Sequence, residues 1–228
     1  MARADCGTGE IQLKNVRQTR QFHSRAKSMP LLDIIYKDPT EPVLHFDPVM
    51  LRPAAASDFD AWKRLREESR PHLIKWEPDW APDDMTQAAF HRRLRAYARE
   101  IRRGAGLPLM VVRRSDAALV GGVTLSNIRR GAACSATLGY WIGAPYVRQG
   151  YGYAAVRAMR AHAFEQLGLN RVEAACQPGN AASRALLTRA GFQREGLARD
   201  FLNINGTWRD HEIYACTAAD HARGAPSA

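Results

Sequence analysis

The sequence predicts a mixed α/β sandwich around one sheet, and three observations lead there. From Val49 onward, apolar runs of strand length recur between turn signals, interleaved with segments whose apolar residues fall at helical spacing. Between Ala136 and Leu167 a strand, a glycine-rich turn and a helix follow one another, and a second strand and helix come directly after. Near the end, Asn205-Gly206 sits between two apolar runs, the strongest short hairpin signal. Size and composition agree. A chain of 228 residues and 25.4 kDa is one domain, or one domain with an extension. With 46% hydrophobic and 25% charged residues it has material for a core and a solvated surface, which excludes collagenous, low-complexity and wholly disordered chains. No apolar run approaches the roughly 20 residues of a membrane-spanning helix, so no membrane partner is expected.

The elements follow in order. Val49 to Pro53 reads as a strand ended by its proline. Ser57 or Asp58 caps a helix through about Arg70, with Phe59, Trp62 and Leu65 on one face. Lys75-Trp76-Glu77-Pro78-Asp79-Trp80, with Pro82, reads as a loop. Asp83 to Arg103 is a long helix whose Phe90, Leu94, Tyr97, Ala98 and Ile101 form one face while arginines take the others. Leu109 to Arg113, Leu119 to Leu125 and Ala136 to Ile142 are strands, separated at Ser115-Asp116 and Arg130-Gly131. A helix runs from about Gly150 to Leu167 and ends at Gly168. Arg171 to Cys176 is a strand. Asn180 caps a helix to Ala190, and Gly191 sits where a left-handed C-cap belongs. Ala198 to Cys216 forms the final hairpin.

Residues 1–45 differ from the rest, with Gly7, Gly9, Pro30, Pro39 and Pro42, scattered basic residues from Lys14 to Lys27, and weak periodicity. They read as a disordered extension. An organellar transit peptide is a second reading, against which Asp5 and Glu10 count. A start placed too far upstream, with Met29 as the true start, is a third. The folded domain is then 46–218, followed by a flexible tail over 219–228. Lys+Arg 33 against Asp+Glu 23 gives a net charge of +10, and only five of the cations are lysines, so the charge suits flat anions such as phosphate and carboxylate. Cys6, Cys134, Cys176 and Cys216 form no CxxC pair, which argues against zinc or a disulfide scaffold and for small buried residues in a reducing cytoplasm.

The informative stretch is Leu138-Gly-Tyr-Trp-Ile-Gly143 followed by Ala144-Pro-Tyr-Val-Arg-Gln-Gly-Tyr-Gly-Tyr153. Gly150 and Gly152 let the backbone bend and come close to a ligand. The orphan amides of the first helical turn then face outward, where the helix dipole adds positive potential, a nest for phosphate or pyrophosphate. No Gly-Lys-Ser/Thr is present, and the spacing does not match GxGxxG. Val147-Arg148-Gln149-Gly150-Tyr151-Gly152 resembles the acetyl-CoA signature of the GNAT N-acetyltransferase superfamily, Gln/Arg-x-x-Gly-x-Gly/Ala, with Val147 in place of the usual Gln or Arg; a second register, Gln149 to Ala154, also fits the pattern but sits two residues further into the helix. Asn180-Ala-Ala-Ser183, with Gly191-Phe192 downstream, resembles the superfamily's Asn-x-x-Ser…Gly-Phe segment. Trp76-Glu77-Pro78, Leu125-Ser-Asn-Ile-Arg-Arg-Gly131 and Asn205-Gly-Thr-Trp-Arg-Asp-His211 further resemble the RimJ/RimL ribosomal-protein N-acetyltransferases, closest to the alanine-specific RimJ branch. The resemblance spans about Val49 to Thr217.

The resemblance implies the GNAT fold, a mixed, mostly antiparallel central sheet flanked by helices, with acetyl-CoA as cosubstrate. It implies transfer of acetyl to a protein N-terminal α-amine, classically the N-terminal alanine of a small-subunit ribosomal protein, by direct attack on the thioester. It places cosubstrate binding at Trp141, Ile142, Arg148, Gln149, Gly150, Tyr151, Gly152, Tyr153, Asn180 and Ser183, with the oxyanion donor on the backbone of the Tyr140-to-Ile142 strand. Ser183 is then the hydrogen-bond donor to the CoA sulfur. A glutamate that some members use aligns with Ala175, with Glu173 two residues earlier, and a tyrosine used as general acid aligns with Leu187. Those departures leave Glu77, Asp79, Asp210 and His211 to orient or deprotonate the amine, with Glu77 and His211 chosen. Histidine is the one of these side chains whose unperturbed pKa lies near neutrality. The helix 92–103 carries six arginines against Glu100 and is a candidate for weak ribosome or RNA contact. A small-molecule amine as acceptor, or a non-catalytic ribosome-associated factor, are the rival readings. The chain is expected to be a monomer or homodimer and to hold no metal.

Overall fold

The computed structural model describes residues 43–224. Eight strands among them form one sheet: β1 (Leu44–Phe46), β2 (Val49–Arg52), β3 (Leu107–Arg113), β4 (Leu119–Arg129), β5 (Ser135–Ile142), β6 (Arg171–Cys176), β7 (Gln193–Ile204) and β8 (Thr207–Thr217), in the order β1-β2-β3-β4-β5-β6-β8-β7. Neighbours are antiparallel except β5 and β6, which are parallel and joined by a crossover helix. The helices are α1 (Phe59–Leu73), α2 (Gln87–Arg102), α3 (Tyr151–Glu165), α4 (Ala181–Arg189) and α5 (Ala218–Ala222).

Strand alternation sorts the core into two layers. Leu138 of β5, Val172 and Cys176 of β6 and Tyr214 of β8 face α3, which packs Ala155, Val156, Met159 and Ala163 against them. Met110, Val112 and Leu119 face the other way, with Trp141 partly buried beside them, toward Trp62 and Leu65 of α1 and Phe90 and Leu94 of α2.

Several boundaries moved for local reasons. The second helix begins at Gln87 rather than Asp83, because Thr86 is the cap: its hydroxyl accepts from Ala89 N at 3.2 Å. Asp58 precedes α1 without a side-chain cap bond. Its carboxylate instead grips Arg52 at 2.6 and 2.7 Å and accepts from Ala55 N at 2.8 Å, fastening the chain between β2 and α1. Strand β1 begins two residues before the expected boundary at 46, too short to show a period. Helix α5 occupies part of the expected tail, held by a capping box in which Asp220 N donates to Thr217 Oγ1 at 3.1 Å and Thr217 N to Asp220 Oδ2 at 2.9 Å. The extension over 1–42, Cys6 within it, and the end of the tail lie outside the described residues. Asn205 and Gly206, at φ 51° and 73°, make the hairpin turn as expected.

One irregularity in the sheet positions the site. β5 and β6 pair only at Ser135↔Arg171, Ala136↔Val172 and Thr137↔Glu173. Beyond that, β5 stays with β4 through Gly121↔Ile142, and β6 stays with β8 through Cys176↔Glu212. Leu138–Ile142 and Ala174–Cys176 therefore diverge into a wedge whose inner edges carry backbone groups without a strand partner.

Candidate active site

The nest lies at the mouth of the wedge on the α3 face. After β5 the chain makes a short turn over Ala144–Tyr146, passes Arg148 at φ 60° and Gly150 at φ 84°, and enters α3. The first helical bond runs from Ala154 N to Gly150 O, and no side chain caps the start. The amides of Tyr151, Gly152 and Tyr153 thus lack helical acceptors, and no acidic residue lies in the first turn to compete with an anion. At Gly152 a Cβ would lie 3.0 Å from Leu186 Cδ1 and 3.2 Å from Ile142 Cγ1, so β5, α3 and α4 converge there.

The side chains around the nest divide. Arg148 is exposed and has no ion pair among the described residues. Gln149 folds back, its Nε2 donating to Pro145 O at 2.8 Å. The Tyr151 ring is buried in the core, so that residue offers its amide rather than its phenol. Tyr153 is half-buried beneath Arg189, whose Cζ lies 4.4 Å from the ring centre. Trp141 differs from the sequence expectation: its ring lies on the opposite face of the sheet, against α1, and only its backbone borders the wedge. That placement follows from alternation with Tyr140 and Ile142.

Ser183 sits in the first turn of α4. Asn180 Oδ1 accepts from Ser183 N at 3.1 Å, so the asparagine carbonyl is the helix cap and its Nδ2 has no partner among the described residues. The Ser183 hydroxyl lies 2.7 Å from the Tyr140 hydroxyl of β5, spanning the top of the wedge. Burial pushes the Tyr140 phenol well above its ordinary pKa, so it is a neutral hydrogen-bonding group. Burial likewise pushes up the nearby Cys176 thiol, partly offset by Ser183.

Glu212 is buried beside this group, 6% exposed, and was not singled out in the sequence. It accepts from Arg184 Nε of α4 at 2.8 Å, Arg194 Nε of β7 at 3.0 Å and the Tyr214 hydroxyl at 3.0 Å. Burial pushes its carboxyl up, but Tyr214, Arg194 and Arg184 outweigh that and hold it below the ordinary value. A depressed carboxylate stabilises the fold fully above the unfolded pKa of about 4.5 and ceases to do so as pH falls through the lower folded value. Replacing Glu212 by Gln is expected to lower stability by about 1–3 kcal/mol at pH 7, with the difference from wild type vanishing in acid. A series of denaturant melts from pH 7 downward into acid checks this, the two proteins converging only below the depressed folded value.

The other face of the wedge is bounded by the Lys75–Trp80 loop and the β7–β8 hairpin. Gln177 Nε2 donates to Lys75 O at 3.1 Å, and Asn205 Nδ2 of the hairpin turn donates to Ile74 O at 2.6 Å. Glu77 is an ion-pair partner here, not a free base: Arg66 Nη2 donates to its Oε2 at 3.0 Å, and its Oε1 is shut off from solvent. Asp79 is exposed, and Asp210 accepts from Asp200 N at 2.9 Å. His211, 3% exposed, follows directly beyond the Cys176↔Glu212 pair at the end of β6, on the face opposite Glu212. Its Nδ1 lies 2.9 Å from Arg209 O, and its ring packs against Phe201, 5.6 Å between centroids. A carbonyl oxygen only accepts, so Nδ1 carries the hydrogen, and in the neutral imidazole the lone pair is then on Nε2. Nε2 has no partner among the described residues and is not among the polar atoms sealed from solvent. Leu187 is fully buried and Ala175 carries no functional group; Glu173 pairs with Arg171 at 2.8 Å. Among the described residues no cluster of three or more metal-ligating side chains occurs, and no helix is long and apolar enough to cross a membrane.

Comparison with known proteins agrees with this geometry. The family model described as Acetyltransferase (GNAT) domain matches residues 49–193. The [Ribosomal protein uS5]-alanine N-acetyltransferase of Escherichia coli is 31% identical over 170 residues, 73% of this chain and 87% of that protein. RimJ of Mycobacterium smegmatis, solved in complex with CoA-disulfide, is 32% identical and superposes with a TM-score of 0.72 over 81% of this chain and 94% of its own. The ribosomal-protein-S5-alanine acetyltransferase of Vibrio fischeri is 27% identical, with a TM-score of 0.73 over 79% and 98%. The wedge, the amide nest at its mouth and these matches together show that the chain belongs to the GNAT acetyltransferase family, as an acetyl-CoA-dependent N-acetyltransferase of the RimJ/RimL type.

Proposed function

We propose that the acceptor is a protein N-terminal α-amine, specifically the N-terminal alanine of a small-subunit ribosomal protein, acetylated in the cytoplasm. The observation that carries this reading is the acceptor side of the wedge. On the loop that bounds it, Glu77 is already paired with Arg66, and the chain as a whole carries a net charge of +10, which leaves poor terms for a polycationic small molecule. The curated uS5-alanine relative supports the same acceptor.

In this scheme the amides of Tyr151, Gly152 and Tyr153, with Arg148 beside them, hold the pyrophosphate of acetyl-CoA. The pantetheine arm enters the wedge past Ile142 and Asn180. The neutral amine attacks the thioester carbonyl: the C–N bond forms, and the carbonyl electron pair moves to oxygen, where a β5 backbone amide stabilises it. The tetrahedral carbon then expels the CoA thiolate. With Tyr140 donating to the Ser183 oxygen, the Ser183 hydrogen is free to meet that sulfur. The proton lost by the amine goes to His211 Nε2, directly or through one water, and then to solvent. Glu77 shapes the acceptor wall.

Arg95, Arg99, Arg102 and Arg103 of α2 and the turn after it have no carboxylate partner among the described residues, whereas Arg92 and Arg93 pair with Asp83 and Asp84. This free set provides the weak ribosomal RNA contact, through phosphate.

A CoA-release assay with peptides beginning Ala, Ser or Met, beside polyamines and aminoglycosides, tests the acceptor. The expected result is preference for the Ala peptide, lost when its α-amine is blocked. Turnover of small amines alone overturns it.

A further inference from the structure

Arg66 is a buried arginine that the transfer scheme does not use. It lies on α1, 9% exposed, with its guanidinium between two indoles: Cζ is 4.3 Å from the Trp80 ring centre and 4.9 Å from that of Trp141. Its Nη2 donates to Glu77. One side chain thus joins α1, the strand that edges the wedge, and the far half of the acceptor loop. The Trp141 ring reaches this place only because Gly122 has no side chain; a Cβ there would lie 2.5 Å from Trp141 Nε1. One turn along α1, Ser69 Oγ accepts from Ala144 N at 2.8 Å, so the same helix face also holds the turn that leads to the nest.

The cluster is poorly built as a stabilising device. Arg66 Nε, Glu77 Oε1 and Trp80 Nε1 are all sealed from solvent without a hydrogen-bond partner. A buried ion pair with unsatisfied atoms is generally no more stabilising than apolar residues of the same volume, and such atoms call for another explanation. Among the described residues the loop's other hydrogen bonds, from Gln177 to Lys75 O, from Asn205 to Ile74 O and from Trp76 N to Leu73 O, reach no further than Trp76. Its second half depends on Arg66 and on the outer stacking of Arg70, 5.5 Å from Trp80.

We propose that Arg66 is a positioning residue for the acceptor, setting the Trp76–Trp80 loop against β5 and so fixing the width of the slot that admits a protein N-terminus. The inference rests on the reading of this loop as the acceptor wall. Arginine suits the task because its plane stacks on both indoles while its edge meets a carboxylate; lysine keeps the charge but not the plane.

Arg66→Lys and Arg66→Met in the full chain test it, with steady-state kinetics on an Ala-starting peptide, acetyl-CoA titration and hydrogen exchange over residues 74–80. Arg66→Met is expected to raise the acceptor KM about tenfold or more, with a smaller rise in Arg66→Lys. In both variants kcat and acetyl-CoA affinity stay near wild type and exchange over 74–80 speeds up. If Arg66→Met loses acetyl-CoA binding through misfolding, Arg66→Lys decides. The exchange readout needs no acceptor: faster exchange without turnover of any N-terminal peptide fails the acceptor reading and leaves the loop-holding role standing. Unchanged exchange with unchanged acceptor KM overturns the inference, and so does an equal loss of kcat, acetyl-CoA affinity and melting temperature, which marks a purely structural role.

Discussion

Replacing Gly152 by valine is expected to weaken CoA binding by about tenfold to hundredfold. The new Cβ would sit 3.0 Å from Leu186 and 3.2 Å from Ile142, and the two methyl groups beyond it reach further into the same junction. Overpacking of this kind costs about 1–3 kcal/mol, and each 1.4 kcal/mol is roughly a tenfold change in affinity. The junction has two ways to yield. Either α4 moves away with Ser183, or the first turn of α3 tilts and takes the nest amides with it; both harm the site. Gly150→Ala is the informative comparison. Its Cβ meets nothing within 4 Å, but the backbone must hold φ 84°, a strain of about 1–2 kcal/mol for a non-glycine residue, so a smaller loss is expected. Calorimetric titration with CoA reads both variants without turnover. Wild-type affinity in Gly152→Val rules out the nest as the CoA site.

The second large effect belongs to His211. His211→Gln is expected to lower kcat about a hundredfold near pH 7, at the modest end of what a proton acceptor contributes. The loss is bounded because an α-amine, with an unperturbed pKa near 7.7–8, is already about a tenth neutral at pH 7. The deficit should therefore shrink as pH rises through the acceptor's own titration. Glutamine keeps a hydrogen-bonding head for the Arg209 carbonyl but cannot take a proton at neutral pH. A pH profile of kcat for both enzymes, with acetyl-CoA affinity as the folding control, checks it. Equal kcat at pH 7 removes His211 from the chemistry and leaves the amine to lose its proton to water.

Much of this was legible from residue order. The glycine turn, the Asn180 cap and the Asn205-Gly206 turn act over a few residues, so spacing alone specified them, and the structure repeats them at φ 84°, in the Asn180 Oδ1 bond to Ser183 N and at φ 51° and 73°. Arg171–Cys176 came out at the expected limits because a strand between Gly168 and Pro178 has little room to slide. The resemblance to the GNAT superfamily added the identity of the ligand, which spacing alone does not supply.

Other features were decided only by tertiary contact. No local pattern says that β5 and β6 separate after three pairs, since strand divergence depends on what each strand keeps on its outer side. Nor could spacing tell that Glu77 is paired rather than free, because Arg66 lies 11 residues from Glu77 on another element. One signal was available. Trp62, Leu65, Arg66, Ser69 and Leu73 lie on a single buried stripe of α1, and an arginine and a serine on such a stripe need partners from elsewhere in the fold. Residue order thus determined most of the elements, the turns and the uncapped helix start after Gly150, where backbone conformation is set within a few residues. The tertiary structure alone decided which polar side chains meet across the wedge, because burial and pairing depend on groups that the sequence keeps far apart.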